Sequence, residues 1–276
     1  METFQEYGSG RPVLLLHGGA GPLSVIGFAQ LLASRAPVRV IVPTHPGFGG
    51  TPRPAELHSA AALAAYYADL LDAHDWSDVV VLGNSIGGWV AAELALFDAD
   101  RTTRRAKAGG QAAGDGGGNA AGDGGQAVSG GGRRVAGLIL VDAVGIEVPG
   151  EPVLDIFPLT LAQLADYSYH RPDAFRVDES TFDAAQRAGL AANRAALRAY
   201  AEKMVDPALR DRLAGLDVPV TVVWGASDRV VTPAYGRAFA AAIPDAKFVV
   251  LPESGHVPQI ESPEALLAVV EEFLGA

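Results

Sequence analysis

The chain of 276 residues contains no cysteine, which removes disulfides and thiolate metal sites from consideration. No apolar run approaches the roughly 20 residues that span a bilayer; the longest uninterrupted runs are strand-sized. The opening METFQEYGSGRP lacks the basic region and apolar stretch of a secretory signal, so a cytoplasmic location is expected. Positive charge is scarce: 21 Lys and Arg stand against 32 Asp and Glu, a net charge of −11. The arginines form no long basic tract, and an acidic surface repels phosphate backbones, so nucleic acid is not an expected partner. A phosphate loop, a dinucleotide fingerprint and a metal-ligand cluster are all missing from the sequence, so no cofactor or metal is expected. The sequence leaves the oligomeric state open.

What is present is apolar material, 49% of the residues, enough for one sizeable core. PVLLLHG (12–18), VRVIVPTH (38–45), VVVLG (79–83), GLILVD (137–142), VPVTVVWG (218–225) and KFVVLP (247–252) read as strands. Nearly all are continuously apolar rather than alternating, the pattern of strands buried on both faces. Between them, residues 25–34, 56–74, 86–97, 233–243 and 263–274 read as helices, with Pro233 and Pro263 placed in a first turn after Thr or Ser. Such alternation predicts a mostly parallel sheet with helices on both faces.

Two segments interrupt the rhythm. Residues 109–132 are half glycine and repeat AAGDGG; with nothing apolar to offset ordering, a flexible surface insert is expected there. It joins a helix to a strand at the edge where parallel strands begin, opposite the carboxyl edge where α/β sheets bind ligands. Residues 146–217 leave a strand at that carboxyl edge and carry helical patterns such as TFDAAQRAGLAANRAALRAYAEKMV. They are expected to form a helical lid over a core made of residues 1–145 and 218–276.

The sharpest local signal is VVVLGNSIGGWVAAELAL (79–96), in which a strand passes into a helix with almost no loop. An abrupt turn of this kind strains its apex residue, Ser85, and throws the side chain outward; Gly83 and Gly87 let strand and helix approach closely. The helix N-terminus then aims free N–H groups and a positive dipole end at the same place. This Gly-x-Ser-x-Gly pattern, following a strand and opening a helix, is a nucleophile elbow.

The elbow, LLLHGGAGP (14–22), PTHPGFGGTPRP (43–54), WGASDRVVTP (224–233) and PESGHVPQIESPE (252–264) together resemble the α/β-hydrolase superfamily over nearly the whole chain. The resemblance implies the α/β-hydrolase fold and the chain order nucleophile, acid, histidine: Ser85, Asp228, His256. The chemistry asks for these residue types. A serine hydroxyl needs a base to take its proton, an imidazole can take and return it, and a carboxylate fixes the imidazole tautomer. An oxyanion hole is expected from the N–H of Ile86 and one from the HGGAG loop, Gly19 with Ala20 next in line. His17 is expected to shape that loop rather than act as a base. Asp142, at a position where some relatives carry the acid, is the alternative to Asp228. His45, His58 and His74 sit at loop or helix boundaries, and His170 lies in the expected lid; Trp89 and Trp224 read as core aromatics. Asn84 could hydrogen-bond beside the elbow. Only about ten residues precede the first buried strand, so TFQEYG supplies at most one edge strand where many relatives have a hairpin.

The function implied is a serine hydrolase of carboxylic esters of small to medium apolar substrates, acting through an acyl-enzyme on Ser85. Two alternatives stand beside it: hydrolysis of a carbon–carbon bond in a ring-cleavage product, and a hydrolase-like receptor with little turnover. GNSIGG and HGGAGP suit the carbon–carbon branch, whereas Val257 stands where that branch commonly has tryptophan.

Overall fold

Strands apolar on both sides must be covered on both sides, and the computed structural model, which describes residues 4–114 and 132–275, shows how. Among the described residues, seven strands run in the order β1-β3-β2-β4-β5-β6-β7. They are β1 Phe4–Gly8, β2 Arg11–Leu16, β3 Val38–Pro43, β4 Val79–Asn84, β5 Val135–Val141, β6 Val220–Gly225 and β7 Lys247–Leu251. All neighbours pair in parallel except β1, which lies antiparallel on β3 from Phe4 opposite Pro43 to Gly8 opposite Arg39. That is the single edge strand expected of TFQEYG.

The period-two geometry of a strand sorts its side chains onto two cores. Val79 and Val81 of β4 point into a core shared with α2 (Ala60–Ala73) and α3 (Ile86–Gly114). Val80 and Leu82 point to the other face, against α1 (Leu23–Arg35). Between β5 and β6 come α4 (Leu161–Ser168), α5 (Pro172–Phe175), α6 (Ala184–Ala201) and α7 (Leu209–Arg212). α8 (Pro233–Ala241) then joins the first core, and after α9 (Pro258–Glu261) the last helix, α10 (Pro263–Leu274), joins the second.

Local chemistry sets the helix ends. The stretch 56–59 stays out of α2 because the Ser59 hydroxyl accepts the Ala62 N–H at 3.1 Å and caps the helix there. Reciprocal capping boxes, Thr160 with Gln163 and Asp183 with Gln186, start α4 and α6. α3 continues through residues 109–114, six residues into the glycine-rich insert, because lengthening an existing helix avoids a new nucleation step. The rest of the expected flexible insert, residues 115–131, lies outside the described residues. Among the described residues, no helix is long and apolar enough to cross a membrane.

Because β2 sits between β3 and β4, the connection through α2 crosses back over it. The loops that follow β2 and β4 therefore leave adjacent strands toward opposite faces, which opens a crevice at the carboxyl edge of the sheet.

Candidate active site

Ser85 occupies the corner between β4 and α3 with φ at 57°, the left-handed region that a non-glycine residue adopts only when its surroundings hold it there. Its backbone makes four hydrogen bonds: its N–H donates to Val141 at 2.9 Å, and its carbonyl accepts from Gly88 at 3.0 Å, Trp89 at 3.3 Å and Val144 at 3.4 Å. The flanking glycines are required by contact. A Cβ on Gly83 would stand 2.2 Å from the Gly87 carbonyl oxygen, and one on Gly87 would stand 2.3 Å from that of Leu16. Those are backbone atoms that cannot turn aside. Gly83→Ala is therefore expected to cost about 3 kcal/mol or more, the upper end for overpacking, as read by urea unfolding. A loss under about 1 kcal/mol would show that strand and helix separate freely.

His256 and Asp228 reach Ser85 from the loops after β7 and β6. His256 Nε2 lies 2.9 Å from Ser85 Oγ, and its Nδ1 lies 2.8 Å from Asp228 Oδ2. The other Asp228 oxygen, Oδ1, accepts the N–H groups of Val230 at 2.8 Å and Val231 at 3.1 Å, which fixes the carboxylate plane. With Asp228 accepting at Nδ1, Nε2 is left as an acceptor for the serine hydroxyl. Asn84, next to the serine, donates to the His256 carbonyl at 3.0 Å and to Val141 at 3.3 Å, while its own Oδ1 accepts from Gln259 at 3.1 Å. It thus fastens the elbow to the histidine loop.

Asp142 is brought near but not into this chain. Its Oδ1 accepts the Gly225 N–H at 2.8 Å, and Oδ2 is buried without a hydrogen-bond partner. Burial, with the Asp228 carboxylate nearby, pushes the Asp142 carboxyl well up from its ordinary value. Asp142, Asp228 and His256 are also the one grouping, among the described residues, with metal-ligand atoms all within 4.8 Å of one another. A cation there would have to break the His256–Asp228 hydrogen bond.

Beneath the loop after β2 lies a neutral, fully buried pair of histidines. His17 Nε2 accepts the His45 backbone N–H at 3.1 Å, so its proton sits on Nδ1, which donates to Gly18 at 2.8 Å. His45 Nε2 donates to the His17 carbonyl at 2.9 Å, and its Nδ1 faces the Tyr67 hydroxyl at 2.5 Å. Burial lowers His17 to about 4, and burial, with His17 beside it, lowers His45 well below its ordinary value. Folded-state depression of a histidine stabilises the protein above the unfolded pKa near 6.5 and is lost as pH falls toward the folded value. Unfolding free energy is therefore expected to drop between pH 6.5 and 4, by on the order of 3 kcal/mol from His17 alone. Urea titrations at pH 7.5, 6 and 5 measure it, and a flat profile over that range would contradict the neutral pair.

The chain Ser85–His256 opens into a cavity of about 290 Å³. Gly19 and Ala20 form part of its wall, and α4, α5 and α6 supply Leu161, Leu164, Phe175, Leu190 and Leu197. Leu197 packs so closely over Gly19 that a Cβ there would come within 2.7 Å of it. Ile86 opens α3, and as its first residue has no intrahelical carbonyl for its N–H. The only polar groups from the helical segment on this wall, among the described residues, are Ser168, Tyr169, Asn193 and Arg194. Arg194 donates to the Leu159 carbonyl at 2.7 Å, and Asn193 accepts the Gly49 N–H at 2.8 Å. His170 is exposed and off the cavity, with Nδ1 2.8 Å from Ser227 Oγ; His58 is exposed as well. Trp89 and Trp224 are buried in the core, as expected.

The sequence and the fold have wide parallels. The chain is 26% identical over 283 residues to a pimeloyl-[acyl-carrier protein] methyl ester esterase of Aeromonas hydrophila, covering 99% of both. It is 28% identical over 302 residues to a 2-hydroxymuconate semialdehyde hydrolase of Pseudomonas putida, covering 99% of this chain and 90% of that one. Among solved structures, a thermophilic esterase of Thermogutta terrifontis superposes with a TM-score of 0.69 at 25% identity, over 99% of this chain and 93% of the other. A family model described as alpha/beta hydrolase matches residues 13–269, leaving out little beyond the edge strand and the end of α10, and the chain belongs to that family.

Proposed function

We propose that the protein hydrolyses carboxylic esters of small to medium apolar substrates through an acyl-enzyme on Ser85. The observation that carries this reading is the unbroken hydrogen-bonded chain from Ser85 through His256 to Asp228, opening into a largely apolar cavity of about 290 Å³. His256 Nε2 takes the hydroxyl proton as Ser85 Oγ attacks the carbonyl carbon, and Asp228 stabilises the imidazolium that results. The oxyanion is received by the N–H groups of Ile86 and Gly19, with Ala20 beside them. His256 returns the proton to the leaving alcohol; it then deprotonates a water, which attacks the acyl carbon and releases the acid and Ser85. Residues 146–217 act as the lid, excluding bulk water and sizing the acyl pocket.

A series of p-nitrophenyl esters tests this. Butyrate and hexanoate are expected to turn over fastest, with a steep fall toward laurate as the chain outgrows the cavity. Equal rates at every length would remove the pocket from the account. Arg194 on the cavity wall favours a second reading, hydrolysis of a carbon–carbon bond in an anionic ring-cleavage product, since a guanidinium there could meet a carboxylate. Its hydrogen bond to Leu159 competes with that role. Consumption of a 2-hydroxy-6-oxo dienoate at a higher kcat/KM than that of any simple ester would favour the second reading.

A further inference from the structure

We propose that Glu261 is a positioning residue for His256: its carboxylate binds the histidine loop to a strap of the helical segment, residues 167–171, and so fixes where the imidazole stands. The inference rests on the roles proposed above for Ser85 and His256.

Glu261 ends α9, one turn beyond the histidine, and is buried despite its charge. Its Oε2 accepts the Gly255 N–H at 2.8 Å and the His170 N–H at 2.9 Å, and its Oε1 accepts the Arg171 N–H at 2.9 Å. Three backbone donors from two separate segments thus converge on one side chain. The bond back to Gly255 closes a short ring around His256, stiffened by the turn in which Ile260 and Glu261 donate to the Val257 carbonyl at 2.9 and 3.1 Å. The other two bonds fasten that ring to the strap.

The strap is pinned to both loops that bear catalytic groups. The His256 N–H donates to Ser168 at 2.7 Å, and the Arg229 N–H, next to Asp228, donates to Tyr167 at 3.0 Å. Contact is so close that a Cβ on Gly255 would lie 2.1 Å from the Ser168 carbonyl oxygen. The same strap carries Ser168 and Tyr169, which form part of the cavity wall. Without Glu261, three N–H groups at this junction lose their acceptor, and the histidine loop is free to move against the strap. A shift of about 1 Å at a catalytic base can lower a rate about 100-fold.

The test compares wild type with Glu261→Ala, Glu261→Gln and the exposed control Glu264→Ala. Ser85 is labelled with an alkyl fluorophosphonate: Oγ bonds to phosphorus, fluoride leaves, and His256 takes the hydroxyl proton. In parallel, kcat and KM are measured on p-nitrophenyl butyrate, and the downfield proton resonance of His256 Nδ1–H is followed by NMR. Glu261→Ala is expected to label and turn over about 100-fold more slowly, with KM little changed and the resonance broadened or lost. Glu261→Gln, which keeps one acceptor oxygen, recovers part of each loss, and Glu264→Ala matches wild type. If Glu261→Ala does not fold, Glu261→Gln decides by the same readouts. Lower thermal stability with unchanged labelling, kcat and resonance would overturn the proposal and leave Glu261 a purely structural acid. A wild type that does not label would instead sink the role of Ser85. The resonance alone then judges Glu261: its loss in the variants supports the positioning role, and its persistence overturns it.

Discussion

Ser85→Ala is expected to lower kcat for p-nitrophenyl butyrate by roughly 10⁴- to 10⁶-fold while KM changes little, because the variant loses the atom that forms the new bond. The fold should survive. The structural contacts of Ser85 are made by its backbone, to Val141, Gly88, Trp89 and Val144, and alanine keeps all of them. Alanine also tolerates the corner no worse than serine, so the unfolding free energy should stay within about 1 kcal/mol of wild type. Steady-state kinetics and urea unfolding on the same preparation check both halves. A variant that keeps a tenth of the activity would place the nucleophile elsewhere.

The two buried aspartates should part company in the second experiment. Asp228→Asn is expected to lower kcat about 10⁴-fold, since an amide in that place holds the imidazole in the wrong tautomer and cannot stabilise its cation. Asp142→Asn should cost no more than about tenfold. Burial and the Asp228 carboxylate push the Asp142 carboxyl up, which favours its neutral form, and asparagine is the neutral isostere that still accepts from Gly225. If Asp142→Asn proves the more damaging, the acid works from the end of β5, and the His256–Asp228 bond of 2.8 Å has been given the wrong role.

The sheet was legible because burial on both faces leaves continuous apolar runs, and the elbow because it combines two glycines, a strand and a helix within a few residues. Each feature is local in sequence, and so is its physical cause. Ser85 and His256 stand 171 positions apart, so their meeting at 2.9 Å follows from the fold and from no spacing in the chain. The choice between Asp142 and Asp228 could be argued beforehand only from the resemblance. The geometry separates them by a hydrogen bond made and one not made.

Glu261 left no signal that could be read. It lies among other acids near the C-terminus, and its partners are backbone N–H groups, which every non-proline residue carries. The role of Asn84 is equally hidden in the sequence, since its partner is a carbonyl 172 residues away. The cavity wall was hidden for a related reason. Leu197 reads as one more apolar position on an amphipathic helix until α6 is laid over Gly19. Helix ends also shifted where side chains decided them, as at Ser59.

A covalent acyl intermediate on Ser85 is the step on which the proposed hydrolysis turns, and acid-quenched mass spectrometry can catch it. Wild type is mixed with excess p-nitrophenyl butyrate, quenched during the first turnovers, digested and analysed peptide by peptide. A butyryl adduct is expected on the peptide containing Ser85, formed together with a burst of p-nitrophenol and absent from Ser85→Ala. Steady turnover with no adduct, or with the adduct on another residue, would contradict it.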